Sequence, residues 1–243
     1  MVSLADVLAR PDDDEVRLAY SDAIAGTDAA LAEFIKLQIV QAQKRREHAS
    51  PPPDISARAQ VLRMGNIERW AAPMLKLVES GSFLRGLMEV VTVDAAKFLV
   101  SADRIYATAP VLHVNFTNAG PVAKQLFASP ALARLKSIEL RDNELGDAGA
   151  IALANSPHLE SLRWLGLRNN GIGQAGLDAL AERLDQVGYV NFESNPAGDP
   201  TVHFVDYSSE TEMGKALQAK YGPRKWLAIP KREPWPPERD AVD

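Results

Sequence analysis

Gly171-Ile172-Gly173-Gln174-Ala175-Gly176 is a formal GxGxxG, placed after a strand-like run and before a helix-like one, with Glu193 about twenty residues on. Such a loop can hold a dinucleotide pyrophosphate on a helix N-terminus. Other residues with chemical potential are less organised. His48, His113, His158 and His203 are scattered, with no pair at metal-ligand spacing. The run Asp12-Asp13-Asp14-Glu15 lacks the alternating ligands of a calcium loop and suits the positive start of a helix. Met213-Gly214-Lys215 has no upstream glycine loop, and no G-x-S-x-G is present. Lys44-Arg45-Arg46 sits where a helix C-terminus would welcome positive charge. With no cysteine, the chain has no disulfide, thiolate metal site or thiol nucleophile. No catalytic residue, metal site or cofactor is expected.

The elements that must position these residues are written as a repeat. Ser129-Pro130 recurs as Ser156-Pro157, an offset of 27 residues, and Leu135, Ile138, Leu140 and Asn143 recur as Leu162, Leu165, Leu167 and Asn170. Leu145, Gly146, Ala148 and Gly149 return as Ile172, Gly173, Ala175 and Gly176. The GxGxxG has its own equivalent in Glu144-Leu145-Gly146-Asp147-Ala148-Gly149, which keeps the two later glycines and loses the first. Two of its glycines therefore belong to the repeat and the third to one turn, which removes the case for a nucleotide.

A period of this length marks a solenoid, whose units cannot bury their apolar faces alone. Weaker copies run through Val111, Val114 and Phe116, with Ala119 at the asparagine position, and through Val187, Val190, Phe192 and Asn195. Strands are expected near 87–93, 111–116, 137–141, 164–168 and 189–193, each followed by a helix, which requires parallel strands. Asn143, Asn170 and Asn195 would then stack as a ladder that satisfies turn backbone.

The fold class is α/β: a short solenoid with strands on its concave face and helices on its convex face, an N-terminal all-α module and a C-terminal cap. Residues 1–48 read as three short helices, 49–54 as a proline-rich linker, 55–85 as a helical cap broken at Pro73, 86–196 as four or five repeats, and 197–243 as a cap with an extended tail. Ser209-Glu210-Thr211-Glu212 is a capping-box pattern for a last helix that Gly222-Pro223 ends. A net charge of −5 argues against a nucleic-acid partner. The N-terminus has no secretion-signal pattern and no run is apolar enough to cross a membrane, so a cytoplasmic location is expected. Oligomeric state is left open, with a monomer favoured.

The unit L-x-x-L-x-L-x-x-N-x-(I/L)-G-x-x-G resembles the leucine-rich repeats of the ribonuclease-inhibitor type. The resemblance spans roughly 86–196, with two units matching in detail. Pro11-Asp12-Asp13, Arg17-Leu18-Ala19-Tyr20-Ser21-Asp22 and Ala32-Glu33-Phe34-Ile35-Lys36-Leu37-Gln38 are similar to the bacterial repeat-companion domain. The chain departs from that module at Ala23, where a tryptophan is common, and in its shortened acidic turn before Gly26.

By register, three rows face away from the core: Val90, His113, Ser137, Trp164, Tyr189; then Thr92, Asn115, Glu139, Gly166, Asn191; then Asp94, Thr117, Arg141, Arg168, Glu193. The expectation is a partner-binding face of exposed Trp164, Tyr189, Arg141 and Arg168, with Glu139, His113, Asn115, Asn191 and Glu193 around them and open space at Gly166. Trp164→Ala is expected to weaken partner binding and leave the fold intact. The leading function is a non-catalytic adaptor or scaffold for a protein partner. The alternatives are an inhibitor or immunity protein against a toxin or nuclease, which the resemblance implies by fold only, and a regulator of a small GTPase, with Arg141 and Arg168 as the residues.

Overall fold

A computed structural model describes residues 1–185, 187–197 and 212–224. They fall into two compact units, one built on Met1–Val91 and Asp103–Leu112, the other on Thr92–Ala102 and the described residues from His113 onward.

In the first unit, α1 (Leu4–Ala9), α2 (Asp14–Ile24) and α3 (Ala29–Arg46) begin where small polar or acidic residues take up free amides. Asp13 accepts from the amides of Glu15 and Val16, and Asp28 from that of Leu31. Pro51–Pro53 stand inside this unit, between α3 and α4 (Pro53–Leu75), which pack on each other. Pro53 occupies the first helical position, where its missing N–H costs nothing. Phe34 of α3 stacks on Trp70 of α4 at 5.0 Å, and Phe83 meets both edge-on. The expected break at Pro73 is corrected: α4 runs through it and ends two residues later at Leu75, so the proline sits in a closing turn. Leu75, the last residue of α4, is exposed.

Strand β1 (Ser80–Leu84) has no counterpart in the sequence reading. It lies beside β2 (Leu87–Asp94), and Arg85-Gly86 joins them with φ of 48° and 84°, the double left-handed turn of a tight hairpin. The N-terminal helices are built around this turn. Gly86 donates its amide to Gln38 Oε1, and a Cβ there would stand 2.3 Å from the Ile35 backbone. Arg85 folds back so that its guanidinium grips Glu89 in two bonds, 2.6 and 3.1 Å long, while Arg17 meets the same carboxylate at 3.0 Å. Both arginines also donate to the Pro11 carbonyl, and Arg85 reaches Asp14. All three partners are buried. Of the basic cluster, Lys44 pairs with Glu47 and Arg46 with Asp14.

In the second unit, β3 (His113–Thr117), β4 (Ser137–Glu139), β5 (Trp164–Gly166) and β6 (Tyr189–Asn191) lie in chain order and parallel. Ser137 aligns with His113, Trp164 with Ser137, and Tyr189 with Trp164. Buried Val114, Ile138 and Leu165 form the apolar side of this register. After the straddling α5 (Ala95–Thr108) come α6 (Ala123–Phe127), α7 (Gly146–Ala154), α8 (Gln174–Arg183) and α9 (Glu212–Tyr221). Gly222, at φ 76°, closes α9. His203, the capping positions 209–211 and the Trp226–Asp243 tail lie outside the described residues.

The asparagine ladder is present. Asn143 Oδ1 accepts from the amide of Ala119, the position lacking its own asparagine, at 2.7 Å. Asn170 Oδ1 accepts from Asn143 and Leu145, and Asn195 Oδ1 from Asn170 and Ile172. Each Nδ2 donates back to the preceding unit, to the carbonyls of Phe116, Leu140 and Leu167. The residue before each rung takes a left-handed φ: 52° at Asn118, 59° at Asp142, 53° at Asn169 and 59° at Ser194.

Two substitutions test these supports. Gly86→Ala combines a left-handed φ with a backbone clash and is expected to cost about 2–4 kcal/mol in denaturant unfolding. Asn170→Ala leaves two buried amides and a carbonyl unpaired and is expected to cost about 3 kcal/mol by the same measurement.

Candidate functional site

The polar side of the parallel strands carries the predicted rows in the predicted order. The first row is corrected in character. Trp164 is 2% exposed, His113 4% and Tyr189 8%, so these side chains are interior and not an open aromatic patch. Trp164 and Tyr189 stack at 5.7 Å with planes 21° apart. His113 Nδ1 and Ser137 Oγ share a hydrogen bond of 2.7 Å in the same row. Trp164→Ala would empty a core position, so the expectation that it leaves the fold intact is corrected as well.

The second and third rows are more accessible. Asn115 aligns with Glu139, Glu139 with Gly166, and Gly166 with Asn191. The backbone continues this order into the third row: Asp142 donates to the Arg168 carbonyl and Asn169 to that of Glu193. Arg141 is exposed and pairs with Asp142 at 3.0 Å, while Arg168 lies 3.6 Å from Glu193. Both guanidiniums thus have local carboxylate partners. Asn169 donates to Asp142, and Asn118 to Asp94, along the same rim. Asn118 and the Lys97 amide hold the Asp94 carboxyl below its ordinary range.

The open space expected at Gly166 is filled. The Glu139 carboxylate lies over it so closely that a Cβ there would stand 2.1 Å from Oε1. The same Oε1 accepts from the amides of Leu140 at 3.0 Å and Arg141 at 2.9 Å. Burial pushes the Glu139 carboxyl above its ordinary value, and these two amides only partly oppose the shift.

The GxGxxG has a physical explanation in the fold. Asp147 Oδ1 accepts from the amide of Gly173 at 2.7 Å and from that of Gly176 at 3.0 Å. A carboxylate of the preceding unit therefore occupies the start of α8, where a pyrophosphate would have to sit. Gly176 lets Asp147 and Ala150 approach closely. Gly171 is not an accident of one turn: its φ of 66° matches 54° at the equivalent Glu144. Asp147 was missed in the sequence because its partners are backbone amides a full unit away.

Residues 134–154 match the family model for the Leucine Rich repeat. The matched stretch contains β4, the Asn143 rung and all of α7. No curated protein matches the chain. A leucine-rich repeat points to protein–protein interaction in general and is typically a non-catalytic module. Among the described residues no group of three His, Asp or Glu side chains could hold a metal ion, and no helix is long and apolar enough to cross a membrane.

The position of Glu139 sets a pH dependence. Its folded carboxyl is raised, so both states are neutral well below the ordinary value of 4.5, and the folded state alone is penalised as pH rises beyond it. Glu139→Gln is expected to gain thermal stability relative to the parent between acid and neutral pH. An unchanged difference across that window would contradict the assignment.

Proposed function

We propose that this chain is a short leucine-rich-repeat solenoid that holds a protein partner through the polar side of its strands, as a non-catalytic intracellular adaptor or scaffold. The contact residues are Asn115, Glu139, Arg141, Arg168, Asn191 and Glu193. Trp164, Tyr189 and His113 support them from within. The observation that supports the reading is the strand register, which aligns Asn115, Glu139 and Asn191 across neighbouring short strands, with Arg141, Arg168 and Glu193 just beyond the strand ends. Such preorganised polar groups lose little side-chain entropy when a partner docks.

The helices of residues 1–48, read as a companion-type module, brace the Arg85-Gly86 turn of their own unit. Charge along the rows is mixed, and Arg141 and Arg168 are engaged by Asp142 and Glu193. Blockade of a basic nuclease and regulation of a GTPase therefore gain no observation of their own.

The test is capture of the partner from the native host, followed by calorimetry with purified components. Arg141→Glu combined with Asn191→Lys should weaken binding about tenfold or more, with the thermal transition unchanged. Lys124→Glu, on α6, should bind as the parent does. Equal binding by all three proteins would refute the strand-face reading.

A further inference from the structure

Glu139 is the one acid of the second row, and its setting is specific. Oε1 is taken by the amides of Leu140 and Arg141. Among the described residues no donor reaches Oε2 and no cation pairs with the carboxylate. Arg141 attracts it and Asp142 repels it, both from a distance. Arg141 instead contacts Asp142, and Arg168 approaches Glu193, so the neighbouring positive charges are already compensated. On the next strand Asn115 donates its amide to Thr92 Oγ1, which leaves its carbonyl oxygen as an acceptor at the position aligned with Glu139. On the other side is Gly166, where any side chain would displace the carboxylate.

This place therefore offers two acceptors, one of them a fixed, half-buried negative charge with no cation paired to it. A metal ion would need more ligating carboxylates than the site has. A flexible primary ammonium or a guanidinium brings several N–H donors together with the missing charge. We infer that the partner presents a lysine or arginine side chain to Glu139 and Asn115, and that this contact selects the partner. The inference rests on the strand-face reading above. Burial without a counter-charge is a standing cost in the free protein. A cation of the partner would offset it, so the carboxylate discriminates against partners with a neutral or acidic residue there.

Random linear peptides displayed on phage, selected on the full-length chain, supply the probe. Selected peptides are synthesised with each basic residue replaced in turn by norleucine or citrulline, then titrated against the parent, Glu139→Gln, Glu144→Gln and the Arg141→Glu/Asn191→Lys pair. The expected result is one basic position whose neutral replacement costs about tenfold or more. That position should lose its importance in Glu139→Gln and keep it in Glu144→Gln. Peptides that need the strand face but tolerate neutral replacement at every basic position would overturn the cation contact and leave the strand-face reading standing. Peptides indifferent to the face variants, or no selected peptides at all, would overturn both. The thermal transition of each variant is measured alongside, so that a loss of importance in Glu139→Gln counts only when that variant is as folded as the parent.

Discussion

A strand followed by a turn and a helix, stacked on a copy of itself, traps backbone amides and carbonyls where water cannot reach them. The amides of Ala119, Asn143, Leu145, Asn170 and Ile172 are in that position, and each is met by the side chain of the next asparagine along. One side-chain amide both accepts from and donates to a neighbouring unit, so a single residue type closes the hydrogen-bond account of a whole turn. The ladder also fixes register, because each rung sits a set distance after its strand. Every residue placed on the polar face inherits its position from that constraint. At the first rung Ala119 uses Asn143 and contributes no side-chain amide itself, which is why the repeat survives there without its asparagine.

The parts of this architecture legible in the sequence are those that repeat. The two units that match in pattern, Leu135–Asn143 and Leu162–Asn170, define the apolar side, the rungs and the row order. The unit before them spans 24 residues between His113 and Ser137, and its helix α6 is shorter than α7. Identity fades with length, but the strand register does not. The burial of Trp164 and Tyr189 was not legible. Alternation tells which side of a strand a residue occupies, not how deeply that side is enclosed. The same limit explains Gly166, where a missing side chain looks like a vacancy until Glu139 is seen to fill it.

Non-repeating structure was harder to read for a different reason. Arg85 is an unusual residue for a left-handed turn position, and nothing local recommends it. Its φ of 48° is held by bonds to Glu89, Pro11 and Asp14, contributed from far along the chain or from the next strand. Pro11, Arg17, Ile35 and Gln38, which read as a companion-type motif, meet at that turn. Two arginines on one buried glutamate give a joint that breaks badly if a single member is removed. The four residues are thus tied together by the turn they grip.

The most direct measurement is native-state hydrogen exchange resolved to single amides. If the ladder is the constraint on which the repeat depends, the amides of Asn143, Leu145, Asn170 and Ile172 exchange only through the largest cooperative opening of the repeat, with one shared free energy that denaturant lowers steeply. Fast exchange at these amides, at rates typical of surface turns and insensitive to denaturant, would contradict the account.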